Sequence, residues 1–397
     1  MLPLKAGDGV YFKRGDIFRG QISAKSGVTY TAYGEGEKPK LYASPANFAG
    51  AENWEQTSVP NVWKLKTPIT HDVGLVVFNE GEAWTEKRIK GRPDFKDGGL
   101  ENLDKDLTMW HDVPAPTDCS GYVYVRCDKG NPGAIYNSIE LNPRAHIIKV
   151  SANDVTIDNL CIKYTGAHGV SSGGVKNLVV TNCEFGFIGG SRFRTDTLSR
   201  YGNAVEIYGA VDGYVVDNCY IYHCYDAGVT HQLTQSPEKE CIMADIHYTN
   251  NVITYTSYPV EYFINEPNAG VTHAYLGLEI SDNIIRYTGY GFGDQRPDKT
   301  AAAGIKSWNT YNAADNYVMN NNIFDRSKYK LIQLGAFAAA WMPKMDGNTY
   351  IIEEGGEFGN IGDTDGGTAV TAIALQKYVE ANSKDKNAKV YVLKKAQ

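Results

Sequence analysis

Residues 157–162 read Ile-Asp-Asn-Leu-Cys-Ile, and residues 180–185 read Val-Thr-Asn-Cys-Glu-Phe. In both, an apolar residue is followed two positions later by Asn and five positions later by another apolar residue. The same pattern, with Asn or Asp, returns four times, starting at Val216, Tyr248, Ile280 and Val318. Successive copies start 23, 36, 32, 32 and 38 residues apart. A coil of three short strands and three turns needs about 20–25 residues, so each copy predicts one coil of a solenoid.

Stacked coils bring equivalent residues into columns. The predicted column of turn residues is Asn159, Asn182, Asn218, Asn250, Asp282 and Asn320. Asn suits this position because it tolerates left-handed backbone and hydrogen-bonds to neighbouring amides. The predicted fold is therefore all-β: a parallel β-helix, right-handed because parallel crossovers almost always are.

A second column should point into the coil. Its predicted members are Val170, Val205, Val229, Val260, Ile305 and Leu331. The excess length in the longer copies predicts insertions at 186–202, 232–246, 264–278 and 286–303. All four insertions flank this one strand column, and loops on both sides of one face create a cleft.

The domain prediction has two parts. Residues 1–345 form the β-helix catalytic domain, in which 51–145 is an insertion rich in hairpins, and residues 346–397 form a capping segment. Thr368–Ala381 predicts a short amphipathic helix whose apolar face carries Val370, Ile373, Ala374 and Tyr378. Residues 388–393 predict a final strand, and such a terminal element covers the open end of a solenoid.

Composition narrows the function. The net charge is −7, which disfavours nucleic acid as a partner, and no apolar run approaches the roughly 18 residues of a membrane helix. The seven cysteines have irregular spacing and no CxxC, so they predict buried apolar side chains rather than disulfides or zinc ligands. GxSxG, HExxH and GxxxxGK[ST] are absent, and we expect neither a metal nor a cofactor.

Several segments carry a family resemblance: Gly9–Asp16, Phe18–Gly20, Ser26–Tyr30, Tyr33–Gly36, Tyr225–Gln232 and Gln295–Asp298. Over most of its length the chain resembles bacterial right-handed parallel β-helix repeat proteins, which are mostly secreted carbohydrate-active enzymes. That group includes xylosidase-like, fucosidase-like and lacto-N-biosidase-like glycoside hydrolases, and its wider superfamily includes polysaccharide lyases and epimerases. The resemblance implies a carbohydrate substrate and an extracellular or cell-surface location. Members usually carry a strand ahead of Gly-Asp-x-Val, so it also implies a removed leader, or a separate N-terminal domain or subunit that completes the first coil.

Strand alternation predicts what faces the cleft. If the second column points inward, the next residues point outward: Ser171, Glu206, Thr230, Glu261 and Lys306. Two residues further on, another outward column contains Gly173, Tyr208, Gln232, Phe263 and Trp308. A column with carboxylates beside a column with aromatic rings is what a sugar site requires.

Asp226, Glu261 and Glu206 are the candidate catalytic carboxylates. Glu206 and Glu261 lie two coils apart, so they start about 9–10 Å apart, which suits an inverting pair. Asp226 enters the intervening coil, and burial near like charges predicts a raised pKa. We therefore expect Asp226 to be the general acid and Glu261 the base or nucleophile, with Glu206 the alternative member.

Four further polar residues join the candidate site. Strict alternation points His231 inward as a core residue, whereas a bulge would turn it toward the cleft to orient a carboxylate. Lys306 beside Glu261 predicts an ion pair or a substrate clamp. Arg296 and Asp298 lie in the insertion 286–303.

The insertion 186–202 is rich in arginine. Its charged residues could bind a sugar or form a solvated loop: Arg192, Arg194, Asp196 and Arg200. Gly166–Val170 distantly resembles a polygalacturonase His motif but lacks its partner Asp motifs.

The leading hypothesis is a glycoside hydrolase. The alternative is a polysaccharide lyase, with Lys306, Arg296 or His231 supplying the base and the cations that neutralise a uronate. A third hypothesis is a non-catalytic glycan-binding β-helix.

Overall fold

Three parallel β-sheets form the walls of the solenoid and enclose the main core. The computed structural model describes residues 3–89, 99–113, 119–193, 199–234, 236–307, 311–335 and 341–394. Sheet one contains Gly9–Lys13, Thr29–Tyr33, Val155–Asp158, Val175–Thr181, Val211–Asp217, Cys241–Thr249, His273–Ser281, Ala313–Asp315, Val318–Asn320 and Lys344–Asp346. Sheet two contains Ile17–Arg19, Lys40–Tyr42, Cys161–Thr165, Glu184–Ile188, Tyr220–Cys224, Val252–Thr254, Ile284–Thr288, Ile323–Ser327, Thr349–Glu353 and Lys389–Leu393. Sheet three contains Ile22–Ser23, Ile148–Val150, Val170–Ser172, Val205–Tyr208, Ala227–Leu233, Tyr258–Ile264, Ile305–Ser307, Lys330–Leu334, Glu357–Ile361 and the antiparallel Thr364–Asp365. The chain visits the sheets in turn, so the predicted parallel β-helix is confirmed.

The predicted inward column is confirmed except at its last member. Val170, Val205, Val229, Val260 and Ile305 pair in register on sheet three. Lys306 then pairs with Gln333, so Ile332 rather than Leu331 takes the next inward position. The backbone of Leu331 instead accepts from the Gly304 N–H, because the ladder between these coils begins at Ala303 and Lys330.

The predicted column of turn residues also shifts by one residue at its last member. Its left-handed members have φ between 50° and 60°: Asn159, Asn182, Asn218, Asn250, Asp282 and Asn321. Asn320, which the pattern suggested, pairs with Ser281 inside a strand. The amides of Asn218 and Asn182 hydrogen-bond directly at 2.7 Å, as stacking on consecutive turns predicts.

A second ladder of amides lies one residue further on and is buried. At each step the backbone N–H of one residue donates to the side-chain oxygen of the next residue in the ladder. The order of the residues is Asn251, Asn283, Asn322, Asn348 and Asp385. Each of the four asparagines is fully buried. The ladder satisfies turn amides that would otherwise be unpaired inside the solenoid.

The segment between Tyr42 and Ile148 leaves the solenoid and folds against it. Its strands are Trp54–Gln56, Val62–Leu65, Ile69–Thr70, Val73–Phe78, Ala83–Trp84, Glu86–Lys87, Thr108–His111, Ser120–Gly121, Val123–Arg126 and Ile139–Pro143, with one short helix at Pro132–Ile135. This inserted unit has its own core, which includes Trp54, Phe78 and Met109. Leu75 and Val77 pack with Tyr164, Phe187, Tyr225 and Phe292 of the solenoid. Apolar packing therefore fixes the inserted unit beside sheets two and three.

The C-terminal helix spans Ala372–Ser383 and buries Leu375, Val379 and Ser383. The predicted apolar face is right at Tyr378, which packs against the core, and wrong at Val370 and Ile373, which are 69% and 72% exposed. Val370 precedes the helix, and Leu375 and Val379 join the solenoid core. Neither helix of the described residues is long and apolar enough to cross a membrane. All seven cysteines are free thiols, and six are buried.

Candidate functional site

The predicted outward column on sheet three exists in the expected register. Ser171 pairs with Glu206, Glu206 with Thr230, Thr230 with Glu261, and Glu261 with Lys306. Thr230, Glu261 and Lys306 are 0%, 6% and 2% exposed, although they point out of the solenoid. Other segments therefore cover this face, and the ionisable groups lie largely out of water. The predicted insertions 232–246 and 264–278 are shorter than expected, because the sheet-one strands Cys241–Thr249 and His273–Ser281 begin inside them.

Glu206 lies beneath this cover, with a side chain 12% exposed. The side-chain amide of Asn203 donates from Nδ2 to Glu206 Oε2, and its Oδ1 accepts from the Ala227 N–H at 2.9 Å. His168 Nε2 lies 3.2 Å from the same Oε2. Glu206 is thus held by His168 of the preceding coil and by Asn203 of its own coil, and its carboxyl group turns back toward Asn203.

The His168 ring is fixed in one tautomer. Its Nδ1 accepts from the Asn203 N–H at 3.0 Å, and burial lowers its pKa to about 4. The neutral ring therefore carries its proton on Nε2, the atom that lies 3.2 Å from Glu206 Oε2. His146 stacks on His168 with ring centroids 5.2 Å apart, which holds the plane of the ring.

Burial raises the pKa of Glu206 from 4.5 to about 7. The Asn203 hydrogen bond lowers the pKa, and the negative charge of Asp226 raises it. Both donors act on Oε2, so the proton of the neutral carboxyl group belongs on Oε1. Glu206 is therefore poised to be a proton donor near neutral pH.

Asp226 has the opposite environment. Arg296 Nη1 lies 2.8 Å from Asp226 Oδ1, and the Asp226 N–H donates to the Gly202 carbonyl at 3.2 Å. The same guanidinium donates from Nε and Nη2 to both oxygens of Asp298, at 3.1 Å each. Although burial opposes it, the hydrogen bond from Arg296 lowers the pKa of Asp298. Arg296 thus bridges two carboxylates and places a positive charge beside Asp226.

Cations and rings alternate beside Asp226. Arg200 lies 4.2 Å from the Tyr225 ring centroid, and Arg296 lies 5.4 Å from it. Arg296 also lies 5.2 Å from the Tyr258 ring, and Lys306 lies 4.2 Å from that ring. These cation–π contacts link five side chains into one side of the site.

Glu261 and Lys306 form the end of the site farthest from Glu206. Glu261 accepts from Gln232 Nε2 at 2.9 Å, so Gln232 orients a carboxylate. Burial lowers the pKa of Lys306, and the charge of Glu261 acts in the opposite direction. The two side chains carry opposite charges on neighbouring coils, as the sequence predicted.

A cavity of about 370 Å³ opens over Asp226 and Arg296. Arg200, Tyr225 and Asp298 also line it. Cavities of this size accept small ligands. Of the three candidate catalytic carboxylates, Asp226 lines it.

Two of the predicted aromatic contacts lie near this face. Tyr208 is 46% exposed and donates to Thr234 Oγ1 at 2.9 Å. Phe263 is half-buried, one coil beyond Gln232 in the same column. Trp308 lies outside the described residues.

His231 does not face the cleft. It is fully buried inside the solenoid, where Nδ1 lies 2.7 Å from the Tyr248 hydroxyl and the ring stacks on Tyr262 at 5.4 Å. No bulge interrupts its pairing with Ile207 and Tyr262, so strict alternation holds. Burial lowers its pKa to about 3, and the ring is a neutral core residue.

The arginines of the 186–202 insertion have structural partners. Arg200 donates to the carbonyls of Gly190 and Gly74, and Arg192 donates to that of Val113. These contacts tie the insertion to the inserted unit. Arg194 and Asp196 lie outside the described residues.

Sequence reasoning set aside His168 and missed Asn203 and Tyr258. The Gly166–Val170 segment was the available signal for His168, since it places a histidine two residues ahead of the inward Val170. Asn203 likewise precedes Val205 by two residues. Both positions lie at the turn that enters sheet three, which is also the level of Asp226.

Comparisons with known proteins were made for the whole chain. No family model matches the sequence, and no curated protein matches it. Among solved structures, one described as the complex structure of XylC with xylose aligns with a TM-score of 0.48 and 13% identity. The alignment covers 89% of this chain and 64% of that chain, so this chain spans less than two thirds of that protein. No residue role is transferred from this likeness.

Proposed function

We propose that the protein is a glycoside hydrolase that acts on a neutral glycan, with Glu206 as general acid and Asp226 as the ionised carboxylate. The observation that carries the proposal is the contrast between these two groups. Glu206 is buried with a pKa of about 7, whereas Asp226 is paired with Arg296 at 2.8 Å. A carboxyl group with a raised pKa near a second carboxyl group that is paired with a cation is the arrangement that glycosidic cleavage requires.

In the proposed first step, Glu206 donates the Oε1 proton to the oxygen of the leaving group. His168 and Asn203 hold Oε2 and stabilise the anion that forms. Asp226 then stabilises or attacks the anomeric carbon as positive charge develops there. This assignment differs from the sequence expectation for Asp226, because the Arg296 contact favours a carboxylate there rather than an acid.

The position of the pair favours retention of configuration. Asp226 lies one coil beyond Asn203, toward which the Glu206 carboxyl group turns. Coils stack at about 4.8 Å, and because the Glu206 carboxyl group turns back toward Asn203 we infer a separation of about 5–7 Å from Asp226, nearer to the retaining separation than to the inverting one. Glu261, farther along the column, is proposed to bind sugar hydroxyls rather than to react.

The charge balance favours a neutral sugar. Arg296 is bound to Asp226 and Asp298, and Lys306 lies beside Glu261. A uronate would have to compete with these carboxylates for the cations. The test is a screen of neutral and acidic oligosaccharides for new reducing ends. Glu206→Gln and Asp226→Asn should each lower kcat by about 10²–10⁴. Glu279→Gln on sheet one, the matched control, should retain activity.

A polysaccharide lyase is the second candidate, and one observation favours it: burial lowers the pKa of Lys306, which would make it a better base. A lyase would release an unsaturated uronate, seen by its ultraviolet absorbance, from pectate or alginate. Because β-elimination also leaves a reducing end on the other fragment, the absorbance is the deciding readout: new reducing ends accompanied by this absorbance would replace the hydrolase proposal, and new reducing ends without it would support the hydrolase. Binding of glycans with no turnover would favour a non-catalytic glycan-binding protein.

A further inference from the structure

A second cavity, of about 790 Å³, shares the lining residues Arg296 and Pro297 with the Asp226 cavity. Its first wall comes from the inserted unit and includes Trp84, Glu86 and Lys105. Its second wall comes from the loop 289–304 and includes Phe292, Gln295 and Lys299. Arg296 and Pro297 line both cavities, so the two spaces adjoin.

The two walls are held at a fixed separation by Gln295. Its Oε1 accepts from the Lys87 N–H at 3.2 Å, and its Nε2 donates to the Thr85 carbonyl at 2.9 Å. The Gln295 side chain therefore pairs with the backbone of residues 85–87 as a neighbouring strand would. A ligand that enters this cavity meets walls that are already in place, which reduces the entropic cost of binding.

The charged groups of the lining are already paired. Arg88 contacts Glu86 and lies 2.8 Å from Asp104, and Lys105 also contacts Glu86. On the other wall, Asp294 lies 2.8 Å from Lys328 and 3.6 Å from Lys299. The described lining has three carboxylates and four basic groups, and the fourth base, Arg296, is bound to Asp226. The cavity thus offers many fixed polar atoms and little net charge, together with the indole of Trp84. This chemistry suits a neutral polyhydroxylated ligand.

We propose that this cavity is an extended subsite for the part of a neutral oligosaccharide that lies beyond the unit bound at Asp226. The inference rests on the proposed hydrolase function and specifies its substrate as a chain of three or more sugar units. The volume is about twice that of the Asp226 cavity, so it has room for two units where the smaller one holds one. Binding energy gained there would act on the reaction at the neighbouring carboxylates.

The test measures chain-length dependence in the full-length protein. The probes are xylo-, cello-, manno- and galacto-oligosaccharides of two to five units, assayed for kcat/KM and, by calorimetry, for affinity. We expect kcat/KM to rise about tenfold or more between two and four units, as remote contacts contribute. Lys299→Trp, which places a ring in the cavity, should abolish this rise.

Lys328→Trp is the matched control. Lys328 and Lys299 both pair with Asp294 and have similar exposure, 40% and 44%, but only Lys299 lines the cavity. The control should keep the rise with chain length. Thermal unfolding of both variants checks that each is folded.

The outcomes separate the two proposals. Turnover that does not depend on chain length, or a rise that survives in Lys299→Trp, overturns the subsite and leaves the hydrolase standing. Affinity that grows with chain length and is lost in Lys299→Trp, without any turnover, supports the subsite and overturns the hydrolase. Neither binding nor turnover of any probe overturns both.

Discussion

Replacing Asp226 should change how Glu206 titrates. Asp226 contributes a negative charge that raises the pKa of Glu206, after the larger effect of burial. With the carboxyl groups about 6 Å apart, Coulomb's law gives about 0.7 kcal/mol in water and about 2.8 kcal/mol at an effective dielectric constant of 20. These energies correspond to about 0.5–2 pKa units. Asp226→Asn should therefore lower the pKa of Glu206 by about this amount, toward the lower end because burial is the main cause.

The measurement is a carbon NMR titration of the Glu206 carboxyl group, assigned with Glu206→Gln. In the wild-type protein the midpoint should lie near pH 7. Because the acid must be protonated to act, kcat/KM on a hydrolysed substrate should fall as the pH rises through that midpoint. The two readouts report the same proton, so they should agree in the free enzyme.

Asp298→Asn is the control for this experiment. Asp298 binds the same guanidinium at 3.1 Å, yet Asp226, not Asp298, acts on the pKa of Glu206. The control should leave the Glu206 midpoint closer to the wild-type value than Asp226→Asn does. The reasoning is refuted if wild-type Glu206 titrates near 4.5, or if Asp226→Asn raises the midpoint.

Three further predictions concern catalysis, binding and stability. On an activated aryl glycoside, Glu206→Ala should keep a fast first step, seen as a burst of released aryl group, while losing the natural substrate, whereas Asp226→Ala should lose both; absence of the burst in Glu206→Ala would contradict the assignment of the acid. Product NMR at early times should show retention of configuration, and inversion would point instead to Glu206 with Glu261. Asn283→Leu should destabilise the protein by about 2–4 kcal/mol in urea unfolding, because the Asn251 amide and neighbouring carbonyls lose their buried partners. A change below about 0.5 kcal/mol would mean that the ladder is not needed for stability.

The sequence by itself determined the architecture and the face that carries the site. The repeat from 157 to 323 and the alternation around Val205 and Val260 are local patterns, and backbone geometry converts them directly into coils and faces. Glu206, Glu261 and Lys306 therefore pair in the predicted column. His231 followed the same rule and turned inward.

Register errors appeared where the pattern alone was ambiguous. Three asparagines follow one another at 320–322, and any of them could fill the turn. The structure assigns Asn321 to the left-handed turn and Asn322 to the buried ladder. Strand pairing with Ser281 decides this, and pairing partners are not contained in the local sequence.

Only the tertiary structure decided the chemical state of each carboxyl group. Arg296 is 70 residues from Asp226 in the chain, and His168 is 38 residues from Glu206. Loop conformation, not alternation, brings these partners together, and no periodic pattern encodes it. Burial under those loops raises the pKa of Glu206, while an arginine pairs with Asp226. The roles of acid and carboxylate depend on solvent exclusion and on contacts between distant segments, which exist only once the chain has folded.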